Sequence, residues 1–103
     1  MKILALEVER DGVRPEDFAP WLEAEARAVW ELRRSGWVRA VWFRADQKTA
    51  VLELEAESLA EAEARLEGLP LVSQGLIHFE LIPLAPYTGF ERLFRDGEAE
   101  RAP

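Results

Sequence analysis

The residues best suited to chemistry lie on predicted strands, where alternation decides which face each side chain takes. If Phe79 and its alternating neighbours pack on the helices, His78 and Glu80 face the other way, and the same rule places Glu53 with them. A carboxyl group among apolar side chains has a raised pKa and can act as a general acid or base. An imidazole titrates near neutrality. The pattern therefore predicts a catalytic group of His78, Glu80 and Glu53 on the second face of a sheet.

Four neighbours on one further strand are predicted to bind the substrate of that group. They are Arg39, Val41, Phe43 and Trp42. The guanidinium of Arg39 would hold a carboxylate or stabilise an enolate, and the apolar side chains would line a small cavity. Alternation also places Glu7 on this cavity side, although its position near a strand end favours a solvated side chain.

Each of these residues also has a purely structural interpretation. Glu53 could form an ion pair with Arg39, and His78 could be a hydrogen-bonded residue of a barrel. One His and two distant carboxylates are a weak pattern for iron or manganese, so no metal site is predicted. The helix carboxylates are interpreted as a solvated face; they are Glu23, Glu25, Glu61, Glu63 and Glu67.

The elements that position these residues follow the order β-α-β-β-α-β, which is the split βαβ arrangement of ferredoxin-like folds. Strands are predicted over residues 2–9, 37–44, 49–55 and 76–84. An apolar stripe predicts a first helix over residues 15–36, in which Pro20 disturbs the first turns. Ser58 and Glu61 form a capping box that opens the second helix, which Gly68 and Pro70 end. Thr88 and Glu91 repeat the capping pattern before a short last helix.

A single ferredoxin-like domain is expected over residues 1–94, followed by a polar, flexible tail over residues 95–103. The short last helix carries more large apolar side chains than a terminal turn needs. They are Tyr87, Phe90, Leu93 and Phe94. We expect them to dock on another subunit or on the helix layer.

Both faces of the sheet are apolar in the sequence, whereas helices cover only one of them. The uncovered face is too apolar to remain in water. A second copy, packed sheet against sheet, is the simplest cover. The sequence therefore predicts a homodimer or a higher homo-oligomer, a dimeric α+β barrel, with a small apolar ligand as the other partner.

Composition excludes several classes of function. The 103 residues include no Cys, so disulfides, Cys-ligated metals and thiol nucleophiles are excluded. The net charge of −7 disfavours nucleic-acid binding, no stretch is long and apolar enough to span a membrane, and no glycine-rich phosphate loop or other cofactor motif occurs. A cofactor-free cytoplasmic protein is expected. The scarcity of Asn and Gln and the excess of Arg over Lys favour a thermophilic source, although a GC-rich genome gives a similar bias.

Several segments together resemble the muconolactone isomerase family. They are residues 31–37 (ELRRSGW), Asp46-Gln47 before the third strand, Glu57-Ser58 at a helix start, and Leu69-Pro70-Leu71 after that helix. The resemblance implies a dimeric α+β barrel that isomerises an unsaturated lactone by moving a proton, without a cofactor, and that assembles into larger rings.

The functional expectation is therefore a cofactor-free proton-transfer isomerase that acts on a small cyclic or carbonyl compound, with His78 or Glu80 as the base. Two alternatives remain open at this point. One is a non-catalytic module for ligand binding or oligomerisation, and the other is a cofactor-free monooxygenase-like barrel.

Overall fold

The computed structural model describes residues 1–95, and residues 96–103, which hold nearly all of the predicted tail, lie outside the described part. Four strands form the sheet: β1 (Lys2–Glu9), β2 (Val38–Phe43), β3 (Ala50–Glu55) and β4 (Ile77–Pro83). The helices are α1 (Pro15–Phe18), α2 (Leu22–Arg34), α3 (Leu59–Leu66) and α4 (Pro70–Ser73). Two 3₁₀ turns, Ala19–Trp21 and Gly89–Leu93, complete the described elements.

The sheet has the strand order β2-β3-β1-β4, and every neighbouring pair is antiparallel. β1 and β2 are separated by β3, and β3 and β4 are separated by β1, which is the ferredoxin-like topology predicted from the sequence. The fold class is thereby confirmed.

The core lies between one face of the sheet and the helices. Ile3, Leu52 and Leu54 are fully buried on that face, and Leu66 and Leu69 cover them from the second helical region. Paired strand residues share a face, so the pairs Ile3–Leu54 and Ala5–Leu52 mark the helix side of the sheet. The pairs Leu4–Glu53 and Leu6–Val51 mark the opposite side, called here the outer face.

The predicted first helix is divided where Pro20 was expected to disturb it. Pro20 lies in the 3₁₀ turn between α1 and α2, because proline removes a main-chain donor that a continuous helix needs. α2 ends before Gly36, whose φ of 85° lies in the left-handed region that glycine adopts without strain. Arg33 and Arg34 occupy the last turn, where positive charge is favourable beside the C-terminal end of the helix dipole.

Two helix signals differ from the prediction. Pro70 does not only end a helix; it also opens α4, since proline fits the first helical position, where its missing N–H is not needed. The Thr88 side chain makes no capping hydrogen bond, and the turn after it closes through the Glu91 N–H donating to the Thr88 carbonyl at 3.0 Å. Ser58 does cap α3, because its side chain accepts from the Glu61 N–H at 3.1 Å.

β2 contains a bulge that the alternation rule does not anticipate. Val38 pairs with Leu54, Ala40 pairs with Glu53, and Val41 pairs with Leu52. Two residues of β2 thus oppose one residue of β3, which shifts every later side chain of β2 to the other face.

Candidate functional site

A groove of about 790 Å³ lies between α2 and the helix side of the sheet. Leu22, Val29 and Trp30 form its helical wall, and Val41, Phe43 and Phe79 belong to the sheet wall. Toward this end of the sheet, the helix-side residue of β3 changes from the large Leu52 to the small Ala50, and the helix-side residue of β1 is the charged Glu7. The core is therefore not filled there. The result is an apolar recess of the size that small-molecule sites have.

Glu7 reaches the groove from β1. It lies on the helix side because it pairs with Phe79 of β4. Its Oε1 accepts a hydrogen bond from the Ala50 N–H at 2.8 Å. Burial raises the pKa of the Glu7 carboxyl, the Ala50 N–H opposes that rise, and the nearby charge of Glu9 adds to it.

Glu25 reaches the same groove from α2. Its Oε1 accepts a hydrogen bond from the Leu71 N–H at 2.9 Å, which joins α2 to the first turn of α4. Burial raises the pKa of the Glu25 carboxyl, the Leu71 N–H opposes that rise, and the charge of Glu7 raises the pKa further. Within residues 1–95 neither Glu25 nor Glu7 forms a salt bridge.

Each carboxylate thus has one oxygen held by a main-chain N–H, whereas no hydrogen bond within the described chain engages the other oxygen. An anchored carboxyl with a free oxygen and a raised pKa can both accept and release a proton. The arrangement is suited to acid–base chemistry on a ligand that enters the groove.

Three cations border the same groove. They are Arg33 at the end of α2, Arg39 in the β2 bulge and Lys48 in the β2–β3 connection. Within the described residues none of the three forms a salt bridge. Their charges therefore remain available to an anionic group of a ligand.

The predicted catalytic group lies elsewhere, on the outer face of the sheet. Val8 pairs with His78, Leu6 pairs with Glu80, and Leu4 pairs with Glu53. His78 and Glu80 are exposed in the single chain, and Glu53 is half-buried. The three residues do share one face, as alternation predicted, but Glu7 lies on the other face and does not join them.

The ion-pair partner of Glu53 is also not Arg39, which was the partner considered from the sequence. Lys2 donates from Nζ to Glu53 Oε1 at 2.6 Å, whereas Arg39 does not contact this carboxylate. The bulge explains the difference, because it places Ala40 rather than Arg39 opposite Glu53. Both side chains still reach solvent, so this ion pair contributes little to stability.

The four predicted substrate-binding residues all border the groove, although strict alternation had placed three of them on the outer face. The bulge turns Val41 and Phe43 to the helix side, where they pair with Leu52 and Ala50. Trp42 pairs with Val51 and so belongs to the outer face, but β2 is an edge strand and Trp42 also borders the groove.

Sequence reasoning missed Glu25, which was assigned to a solvated helix face. The position of Glu25 along the helix was sufficient to predict that it faces the sheet. Residues 18, 22, 25, 29 and 32 follow alternating steps of four and three, which is the spacing of one buried helical stripe. A charged residue at a position of the buried stripe is a better candidate for a functional residue than a charged residue on the polar face of the helix. Glu61 is not simply solvated either, since its Oε1 accepts from Trp37 Nε1 at 3.2 Å.

The outer face carries six apolar side chains, interspersed with His78, Glu80 and Glu53, in the single chain. Its apolar side chains are Leu4, Leu6, Val8, Trp42, Val51 and Ile82. Trp42 is 64% exposed. Such a surface is typical of a face that another protein surface covers.

Within residues 1–95, no helix is both long enough and apolar enough to cross a bilayer. In the same range, no three His, Asp or Glu side chains are grouped as ligands for a metal ion.

No protein-family model and no curated protein matches the sequence. The fold does match solved structures. Muconolactone isomerase superposes with a TM-score of 0.68 and 19% identity, over 85% of this chain and 92% of that one. The dehydrochlorinase TftG of Burkholderia phenoliruptrix AC1100, which acts on 5-chloro-2-hydroxyhydroquinone and was solved with 2,5-dihydroxybenzoquinone, gives a TM-score of 0.67 and 17% identity. That match covers 86% of this chain and 98% of the other. The comparisons support the resemblance predicted from the sequence and establish a shared fold.

Proposed function

We propose that this chain is a cofactor-free acid–base catalyst, an isomerase-type enzyme that moves a proton on a small cyclic or carbonyl compound. One observation carries the proposal: Glu7 and Glu25 enter a single apolar groove, each held through one oxygen and without a salt bridge in the described chain. One carboxylate removes a proton from the compound, and the other, in its protonated form, returns one elsewhere. The proton count of the enzyme is then unchanged after one cycle.

The cations at the mouth of the groove refine the ligand class. An anionic group would meet Arg33, Arg39 and Lys48, while the ring or chain would lie against Val29 and Phe79. The favoured ligand is therefore a small apolar compound with one acidic group. The two similar structures add support, since both are named for activities on small ring compounds.

The test is hydrogen exchange of a small panel of lactones and cyclic ketones, muconolactone included, in D₂O, followed by proton nuclear magnetic resonance. We expect enzyme-dependent exchange that falls about 100-fold or more in Glu25→Gln. Glu23→Gln is the matched control, because Glu23 lies on the same helix with its side chain 89% exposed. Exchange that is equally fast in Glu25→Gln, or no exchange with any compound, would contradict the proposal.

A second candidate site uses the outer face and keeps His78, Glu80 and Glu53 as the catalytic group. It is favoured by their common placement among Leu6, Val8 and Val51, which a second sheet would enclose. The same exchange assay separates the two sites. Loss of exchange in His78→Ala with retention in Glu25→Gln assigns the chemistry to the outer face, and the reverse result assigns it to the groove.

The proposed assembly is a homodimer in which the outer faces of two sheets pack together. Burial of the apolar outer face stabilises such a dimer by about 25 cal/mol for each Å² removed from water, before the costs of association. We expect a mass of about twice 11.8 kDa in dilute solution. A stable monomer at micromolar concentration would contradict the dimer without bearing on the chemistry of the groove.

A further inference from the structure

Of the three cations that border the groove, Lys48 lies at the end that holds the two carboxyl groups. Glu7 accepts a hydrogen bond from the Ala50 N–H at 2.8 Å, and Lys48 precedes Ala50 by two residues. Glu25 belongs to the same end, since the charge of Glu7 raises its pKa. The groove therefore has one lysine at the end where an acid–base reaction would take place.

The two arginines lie toward the other end of the groove. Arg33 follows Glu25 by eight residues on α2, which is about 12 Å along the helix axis. Arg39 precedes Ala40, which pairs with Glu53, and Glu53 is about 10 Å along β3 from the Ala50 that binds Glu7. The elements therefore place Lys48, rather than either arginine, beside the carboxyl groups.

The main chain at Lys48 has a conformation that lysine rarely adopts. Its φ is 52°, and no other non-glycine residue in the range 1–95 has a positive φ. Glycine adopts this left-handed region without strain, whereas a residue with a Cβ does not. Strained main chain is typical of functional sites, and here it lies at the border of a cavity. The conformation thus favours a role for the lysine side chain itself.

The β2–β3 connection holds Lys48 in place without using its charge. The Arg44 N–H donates to the Thr49 carbonyl at 2.8 Å, and the Lys48 N–H donates to the Arg44 carbonyl at 3.0 Å. Thr49 is buried, and the guanidinium of Arg44 is paired with Asp46 at 2.7 Å. Within the part of the chain that the structure describes, the Lys48 ammonium forms no hydrogen bond or salt bridge. The loop is therefore a preorganised holder for one available cation.

We propose that the Lys48 ammonium is the oxyanion-binding group of the groove and stabilises the enolate that forms when a carbonyl compound loses a proton there. The inference rests on the proposed function and assigns a role that the two carboxyl groups do not fill. A positive charge fixed in an apolar recess interacts more strongly with a developing oxyanion than the same charge in water does. Arg33 and Arg39 remain for the acidic group of the compound.

The step balances without a further reactant. One carboxylate takes a proton from a carbon next to the carbonyl group, and the C–H electron pair forms a carbon–carbon double bond. The carbonyl π pair moves to the oxygen, which lies against the ammonium of Lys48. The other carboxyl then returns a proton to a different carbon and the carbonyl group forms again, so Lys48 keeps all of its protons.

The kinetic test follows hydrogen exchange of the most reactive compound of the panel. We expect Lys48→Met to lower kcat about 100-fold and to change KM less than about threefold, because the oxyanion is absent from the ground state. Lys48→Arg should retain much of kcat. The matched control is Arg34→Met, which removes the same charge from the end of α2 outside the groove. A wild-type kcat in Lys48→Met, or a change in KM alone, would overturn the proposal.

Lys48→Gly separates the charge of the side chain from the conformation of the loop. Glycine adopts a φ of 52° without strain, so we expect a melting temperature equal to or above that of the wild type. Its kcat should nevertheless fall as in Lys48→Met. A Lys48→Gly chain with the kcat of the wild type would contradict the role of the ammonium.

A spectroscopic test needs no turnover. The probe is 4-nitrophenol, since its phenolate oxygen resembles an enolate and its ionised form has a separate absorption band. We expect the acid dissociation constant of the probe bound to the wild type to exceed that of the probe bound to Lys48→Met by about tenfold or more. Equal spectra with the two proteins at every pH would overturn the proposal. Absence of hydrogen exchange with every compound contradicts the proposed function instead, and the spectra then decide whether Lys48 binds an oxyanion.

Discussion

Glu25 on α2 accepts a hydrogen bond from the main-chain N–H of Leu71 at 2.9 Å, and this contact ties the helix that bears the groove to the start of α4. Replacement by Ala leaves the Leu71 N–H in a partly buried place without its partner. We expect Glu25→Ala to lose about 1–3 kcal/mol of unfolding free energy. Glu25→Gln keeps an acceptor oxygen and should lose less. Urea denaturation of both variants measures the difference, and equal stabilities would show that the contact contributes little.

The raised pKa values of Glu7 and Glu25 give the stability a defined pH dependence. In the folded chain each carboxyl holds its proton at a higher pH than in the unfolded chain, so the folded state binds more protons in the window above the ordinary pKa of 4.5. Stability that comes from the neutral form is present below that value and is lost as the pH rises through the folded pKa. Relative to Glu25→Gln, the wild type should therefore become less stable as the pH rises.

The measurement is the difference in unfolding free energy between wild type and Glu25→Gln, from about pH 4 to about pH 8. Glu23→Gln serves as the reference for an exposed carboxylate on the same helix. A difference that is flat across the range, or that grows in favour of the wild type, would show that Glu25 is not raised in the folded chain.

The fold could be predicted because each element carries its own periodicity, whereas the set of residues that border the groove depends on local features that alternation does not contain. The bulge between Val38 and Ala40 puts each later side chain of β2 on the face opposite to the one that alternation predicts. No residue type in that strand indicates a bulge. Alternation correctly grouped His78 with Glu80. The place of Glu25 in the groove could have been predicted, since it lies in the helical stripe between Leu22 and Val29. Its charge instead suggested a side chain exposed to solvent.

The two Ser/Thr capping patterns illustrate the same limit. Ser58 and Thr88 each precede a Glu by three residues, yet only Ser58 caps a helix. The turn that follows Thr88 is a 3₁₀ turn closed by main-chain atoms, so the hydroxyl is not required there. A capping box needs a full α-helical first turn, which the short 3₁₀ turn Gly89–Leu93 does not supply.

The different roles of the Ser58 and Thr88 hydroxyl groups lead to two linked predictions. Ser58→Ala removes the acceptor of the Glu61 N–H and should lower the unfolding free energy by about 1 kcal/mol. Thr88→Ala should leave it unchanged within error. Thermal denaturation of the two variants beside the wild type tests both statements, and a larger loss in Thr88→Ala than in Ser58→Ala would reverse the assignment.

The proposed sheet-to-sheet dimer depends on the apolar outer face. Leu6 lies at its middle, opposite Val51 and Glu80. In Leu6→Glu a carboxylate would be buried opposite Glu80, which carries the same charge, so we expect the dimer to dissociate at concentrations where the wild type remains associated. Sedimentation velocity reads the mass, and circular dichroism confirms that the variant is folded. Ala64→Glu, on the exposed side of α3, is the control. An unchanged mass in Leu6→Glu would place the interface elsewhere.

The segment after β4, residues 84–95, which is called here the arm, gives the last prediction. A chain truncated after Pro86 lacks Tyr87, Phe90, Leu93 and Phe94 but keeps every strand and the Leu84 tie to Lys2. If these side chains are buried on a neighbouring copy, their loss removes apolar contacts that the single domain does not make. We expect a lower melting temperature or a smaller oligomer, measured by calorimetry and by sedimentation velocity. Arg92→Ala is the control within the arm, since it leaves the apolar side chains in place. A truncated chain with the melting temperature and mass of the full chain would show that the arm packs on nothing.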